Sequence, residues 1–363
     1  MNCRKNIEMN WRGILSLGVF LLVGSGCESS RFYGQAISGQ VGLVLRRQPL
    51  DEMIQDENQP AKVREKLLLV EELRAFASET LLLPSLGTYT SYVALDGPYV
   101  VWNIAVSKEF DLEPKSWWYP IVGRLEHRGY FREKSGRRYA KKMEGRGYDT
   151  AVGGVLGYST LGWFSDPVLS SFVELEDVDL AELIFHELAH QRLFIYGDTD
   201  FNEAFAVSVA EFGVIQWLRE KGDLNSELAY QKRQKALQDF MGLVLQLRTN
   251  LSESYKEGLR LAWDEGKRRE RKSAEIDAFR HQFKERLIPS PELVPFATWV
   301  DGPINNSKIN VLDTYFRLLP AFRELMRSAG DLEGFYAAVE RIGKLPKPMR
   351  GKALIKEGRN SKK

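Results

Sequence analysis

The chain has 363 residues, 44% of them hydrophobic and 28% charged, a globular composition that excludes collagen-like, coiled-coil-only and wholly disordered chains. Its formal net charge is +2, and Arg4, Lys5 and Arg12 set against Glu8 account for all of it. The remainder is electrically balanced and poorly suited to nucleic acid. Both cysteines, Cys3 and Cys27, lie near the N-terminus, so the body offers no disulfide framework.

The first element is an apolar stretch from Gly13 to Gly26 behind those basic residues. It is shorter than the roughly 20 residues a spanning helix needs and reads as a secretory signal. Its end, Val23-Gly24-Ser25-Gly26-Cys27, resembles the bacterial lipoprotein signal, departing from it at Gly24, where leucine is usual. That resemblance implies removal of residues 1–26, a lipid on Cys27 and a membrane partner. With Glu28 rather than aspartate next, it implies an outer-membrane anchor facing the periplasm.

Ser29–Leu45 and Ala61–Leu83 read as helices, the second carrying Val63, Leu67, Val70, Leu73 and Ala77 at helical spacing ahead of Pro84. Tyr99–Ser107 and Trp117–Val122 are β-branched or aromatic and read as strands of a small sheet, with Arg132–Met143 a helix between strands. Tyr148–Thr160 reads as a strand containing Gly153, Gly154 and Gly157. Glycine there marks a bulge or a close backbone approach, for packing or for a substrate-facing edge.

After Asp179 the pattern is helical to Ile342, broken near Gly197, Gly222, Pro289–Pro295 and Gly302-Pro303. Within it Leu224–Leu287 reads as a helical arm, with Leu237, Phe240, Val244, Leu247 and Leu251 forming a packing seam. The basic segment from Lys344 to Lys363 contains Pro346, Pro348, Gly351 and Gly358 and reads as a frayed, disordered tail. The expected fold is α+β, a small mixed sheet followed by a mainly helical half, in one domain spanning 27–343.

The chemistry concentrates in Asp179-Leu-Ala-Glu182-Leu-Ile-Phe-His186-Glu187-Leu-Ala-His190-Gln191. Asp179 and Glu182 form a plausible capping pair, and Gly197 a natural stop. On such a helix His186 and His190 share a face one turn apart, so both imidazoles can bind one Zn²⁺ while Glu187 flanks the open position. Twelve residues later comes Asn202-Glu203-Ala204-Phe205-Ala206.

The two motifs together resemble the gluzincin pattern, closest to alanyl-aminopeptidase-type enzymes, with a shorter interval. The resemblance implies a zincin-like fold with Glu203 as third zinc ligand. If the helices fold back about Gly197-Asp198-Thr199-Asp200, however, the residue level with His190 is nearer Val209 or Glu211, so Glu211 is a rival. Glu203 then requires a steep crossing. Arg31-Phe-Tyr-Gly34, Val101-Trp-Asn103, Arg128-Gly-Tyr-Phe131, Tyr158-Ser-Thr-Leu-Gly-Trp-Phe164 with Asp166-Pro167, Thr314-Tyr315 and Pro320-Ala-Phe322 resemble a bacterial lipoprotein family described as predicted aminopeptidases.

The implied activity is hydrolysis of peptide substrates. Zinc lowers the pKa of a bound water toward about 7, and Glu187, as general base, takes its proton during attack on the peptide carbonyl. Resemblance to the related aminopeptidases makes Tyr315 the candidate oxyanion donor, with Tyr158 and His127 competing. The chain has no G-x-M-E-N motif to bind a substrate amine, so the aminopeptidase reading rests on resemblance. The alternatives are a zinc endopeptidase, or an envelope lipoprotein or chaperone that binds zinc without catalysis.

Overall fold

A computed structural model describes residues 27–85, 87–119, 123–157 and 165–360. The signal-like leader and Tyr158–Phe164 lie outside the described residues. The described residues divide between Arg46 and Arg47 into two units. In the first, α1 (Cys27–Leu45) is the expected helix, begun on the cysteine itself.

The second unit opens with β1 (Gln48–Pro49), α2 (Leu50–Gln55) and α3 (Ala61–Glu79). Helix α3 stops short of the expected Leu83. Pro84 disfavours helical backbone at the residue before it, and Leu82 already takes a left-handed φ of 55°. There follow β2 (Ser91–Val93), β3 (Val101–Lys108), β4 (Trp117–Tyr119), β5 (Gly123–Leu125), β6 (His127–Tyr130), α4 (Glu133–Glu144) and β7 (Tyr148–Val155). β8 (Val168–Leu169) and α5 (Ser170–Val173) complete the half.

Strand β2 pairs antiparallel with β1 and parallel with β8, and β4 and β5 form a separate hairpin. The sheet beside the site has the order β6-β3-β7 and is antiparallel throughout, Ile104 facing Arg128 on one side and Val152 on the other. Strand β7 is therefore an edge. Helix α4 lies close on this sheet because Gly136 carries no Cβ, which would meet Ile104 Cδ1 at 3.1 Å.

The remainder is helical: α6 (Asp177–Arg192), α7 (Thr199–Glu220), α8 (Leu224–Arg260), α9 (Glu265–Leu287), a 3₁₀ turn (Pro291–Phe296) and α10 (Ala297–Asp301). The last four are α11 (Asn306–Phe316), α12 (Leu319–Ser328), α13 (Leu332–Gly343) and α14 (Lys347–Asn360). Small sheets thus precede a mainly helical half, the expected α+β division.

Two further segments differ from expectation. The arm at 224–287 is a pair of packed helices, α8 and α9, interrupted where Ala262 takes φ 51° and Asp264 caps Lys267 N. Neither glycine nor proline marks that break, so periodicity runs through it. The supposed disordered tail from Lys344 forms α14 with Leu354 fully buried. Its Pro348 sits in the first turn, where a missing N–H leaves no intrahelical bond unmade.

Helices α6 and α7 form the centre of the core, with Leu180, Ile184, Phe185, Leu188, Phe201, Phe205 and Val209 completely buried. Each such side chain contributes about 2 kcal/mol by leaving water. Gly213 lets α7 approach α6, since a Cβ there would stand 2.8 Å from the Phe185 ring. Phe322 of α12 and Phe335 of α13 cover the far side, with centroids 4.9 Å from Phe201 and 6.0 Å from Phe205 respectively.

Helix α11 is tied to the sheet by polar contacts. The Asn306 amide N donates to Asp149 Oδ2 (2.9 Å), and its Nδ2 to the carbonyls of Lys108 and Glu109 (3.0 Å each). Asn305 Nδ2 donates to Thr150 O, and Asn310 Nδ2 to Ser107 Oγ (2.9 Å each).

Candidate active site

Helix α6 begins at Asp177, two residues before the expected cap, and its N-cap Glu176 makes no side-chain cap bond. Asp179 and Glu182 are therefore inside the helix, and the expected capping pair does not form. Arg233 of α8 reaches both carboxylates, bonding Glu182 Oε2 at 2.9 Å. The helix ends at Arg192, and Leu193 is extended with φ −152° and ψ 126°. The expected stop, Gly197, instead takes a left-handed φ of 75° just ahead of α7.

This early ending decides which glutamate meets the histidines. The non-helical connection runs from Leu193 to Asp198, so the chain reverses near Ile195. The residue level with His190 is then near Phe201, within one turn of Glu203, and a steep crossing is unnecessary. Asn202 fixes the connection: its Nδ2 donates to Ile195 O and its Oδ1 accepts from Ile195 N, both at 2.8 Å. From the C-terminus, Arg350 donates to Asp198 Oδ2 (2.7 Å) and Lys347 to Gly197 O (3.1 Å).

The structure brings His186, His190 and Glu203 together. Their Nε2 atoms are 3.1 Å apart, and Glu203 Oε2 lies 3.3 Å from that of His186 and 3.6 Å from that of His190. Three donors around a tetrahedral zinc, at about 2.0–2.1 Å from it, stand about 3.3 Å from one another. The residues present therefore fit such an ion, and they are the one such group among the described residues. Burial disfavours the charge on Glu203, but the adjoining imidazoles outweigh it and hold the carboxyl well below its ordinary range.

Glu211 is engaged elsewhere, paired with Arg323 of α12 at 2.7 and 2.5 Å. Glu187, only 7% exposed, lines the same cleft as His186 and Glu203. The cleft encloses about 650 Å³, between α6 and α7 on one side and β6, β7 and α11 on the other.

Tyr315 reaches the cleft from α11, its ring 6.4 Å from that of His186. The Glu203 carboxylate, burial and Glu187 together push its phenol well above the usual range, so it stands ready as an O–H donor. His127 also lines the cleft, and burial lowers its pKa against the opposing pull of Glu203. Tyr158 lies outside the described residues.

The glycines of the expected strand Tyr148–Thr160, which as β7 ends at Val155 and leaves Gly157 beyond it, divide between both expectations. A Cβ on Gly154 would strike the Tyr99 ring at 2.3 Å, and one on Gly157 the Phe172 ring at 2.7 Å, so these serve packing. Gly153 has open space beside it and lines the cleft. Sequence reasoning missed Glu126, which also lines the cleft, and the tie made by Asn202. The latter had a signal, since Asn202 immediately precedes Glu203; Glu126 had none beyond adjoining a histidine.

The site is thus a candidate metal centre with an adjacent carboxylate, set in a cleft of an α+β protein. A family model described as "Putative aminopeptidase" matches residues 31–354, and the chain belongs to that family, whose name suggests peptidase activity. Comparison with curated proteins and with solved structures gave no match.

Proposed function

We propose that this protein is a zinc-dependent aminopeptidase of zincin-like type, with His186, His190 and Glu203 as metal ligands and Glu187 as general base. The observation that carries the reading is the convergence of three donor atoms at 3.1–3.6 Å in a cleft that Glu187 also lines. A structural zinc site needs no such free carboxylate and usually closes its fourth position with a protein ligand.

When bound, zinc would act as a Lewis acid on the peptide carbonyl and make water more acidic. Glu187 takes the proton of the attacking water and returns it to the departing amine, a carboxylate working in both directions. Tyr315 donates its hydroxyl proton in a hydrogen bond to the carbonyl oxygen as negative charge gathers there. Strand β7, an edge strand whose Gly153 lines the cleft, is where an extended peptide would pair.

We place the enzyme in the bacterial cell envelope, held by a lipid on Cys27 and facing the periplasm from the outer membrane. The order of basic, apolar and small residues before Cys27 supports this. Among the described residues no helix is long and apolar enough to cross a membrane. The test is to measure zinc content and cleavage of a peptide panel for the wild type and Glu187→Gln. Zinc retained with cleavage abolished in the variant is expected; equal cleavage by the two proteins would refute the mechanism.

A further inference from the structure

The cleft is acidic. Five carboxylates line it, those of Glu126, Asp179, Glu182, Glu187 and Glu203, and Lys308 is the one lysine or arginine among the described lining residues. Lys308 is already bound to the carbonyls of Trp299 and Pro303. Four of the carboxylates have an occupation: Asp179 and Glu182 are held by Arg233, Glu203 faces the histidines, and Glu187 is the base of the proposed reaction.

Glu126 has none. Among the described residues nothing donates a hydrogen bond to it or stands at ion-pair distance, although it is half-buried. Burial pushes its carboxyl up from the ordinary range, and Glu113 and Asp313 add to that push against partial relief from Lys347 and Arg317. An anion kept in such a place without a counter-ion at pairing distance is a cost to the fold that a bound cation reduces.

Its position gives that cation a place. Glu126 follows the β4–β5 hairpin, where Gly123 lies against the α6–α7 connection; a Cβ on Gly123 would be 3.6 Å from Gly197 N. The next residue, His127, is close enough to Glu203 to feel its charge. The unpaired carboxylate therefore lines the cleft across from α6 and α7, beside the wall that the hairpin makes with the connection.

We infer that Glu126 binds the protonated α-amine of the substrate and so confines cleavage to free N-termini. This rests on the peptidase reading above. Glu187 and Tyr315 line the same cleft as Glu126, so an ammonium held at Glu126 keeps the N-terminal end of a peptide in the cleft that holds them, whereas an acetylated N-terminus has no charge to offer.

The test separates binding from turnover. Full-length, zinc-loaded Glu187→Gln is titrated calorimetrically with a peptide, its N-acetylated twin, and an N-acetylated peptide beginning with lysine. The free peptide should bind about thirtyfold more tightly than its twin, as an ion-paired hydrogen bond predicts. Adding Glu126→Gln should abolish that ratio while zinc content and affinity for the acetylated peptide stay constant.

In an otherwise wild-type enzyme, Glu126→Gln should raise KM for free peptides about tenfold or more with a smaller change in kcat. Persistence of the free-over-acetylated preference in Glu126→Gln would overturn the assignment. So would a loss confined to the lysine peptide, which would make the cation a side chain. A Glu126-dependent binding ratio without cleavage by the wild type would overturn the peptidase reading and leave the amine site standing.

Discussion

The two sides of the cleft are built differently. On one, His186, Glu187, His190 and Glu203 come from two successive helices whose flanking residues are almost wholly apolar and buried. On the other, Glu126, His127, Gly153 and Tyr315 arrive from segments nearly 200 residues apart, joined by polar ties such as those of Asn306. The first side is set by helix periodicity and packing, and the second by tertiary assembly. Changes to the three proposed ligands on the first should act on metal and chemistry together, and changes to Glu187 or to the second side should divide them.

The largest effect expected is from His186→Ala or His190→Ala, which should lose bound zinc and all cleavage, read by metal analysis beside a peptide assay. Glu187→Gln should keep zinc and lose about a thousandfold or more in kcat; loss of zinc in that variant would move Glu187 into the ligand set. Next, Glu203→Ala should release zinc and Glu211→Ala should not. Glu211→Ala should instead destabilise the fold by about 3 kcal/mol, because it strands Arg323 in a largely buried site, and denaturant unfolding would show it. The reverse order of zinc loss would exchange their roles.

On the second side, Tyr315→Phe should keep zinc and lower kcat about a hundredfold with little change in KM. An unchanged kcat would leave His127 as the donor to examine. The smallest effect belongs to Asn202→Ala. Without its two bonds to Ile195 the connection loosens, and zinc affinity should fall about tenfold, measured by competition with a chromogenic chelator. No change there would mean that the contacts from Lys347 and Arg350 are sufficient.

The same division explains what could be read before the structure. His186, Glu187 and His190 were legible because helical spacing alone puts two imidazoles on one face. The choice between Glu203 and Glu211 was not, because it turns on a helix that ends at Arg192 instead of running to Gly197. Neither glycine nor proline marks that end; the extended Leu193 and the Asn202 tie set it. The break at Leu261–Asp264 was hidden for a similar reason, since Asp264 supplies a cap in a run of helix-forming residues.

The C-terminal segment was misread because Pro346, Pro348 and the glycines were weighed without a partner. Leu354 has one in the folded core, and Arg350 has one in Asp198. Glu126 illustrates the limit of sequence reading. A carboxylate becomes noticeable by lacking a counter-ion in a cleft, and that property exists only after distant segments have come together.

The grip of α14 on the α6–α7 connection bears on how the molecule is made. Synthesis runs from the N-terminus, so His186, His190 and Glu203 leave the ribosome about 150 residues before Lys347 and Arg350. The nascent chain therefore carries the three side chains proposed to bind metal for some time before their connection receives its last tie. Completion of the centre becomes a late event in biogenesis, and a chain cut short before residue 347 would carry every reactive group without the clasp that steadies them.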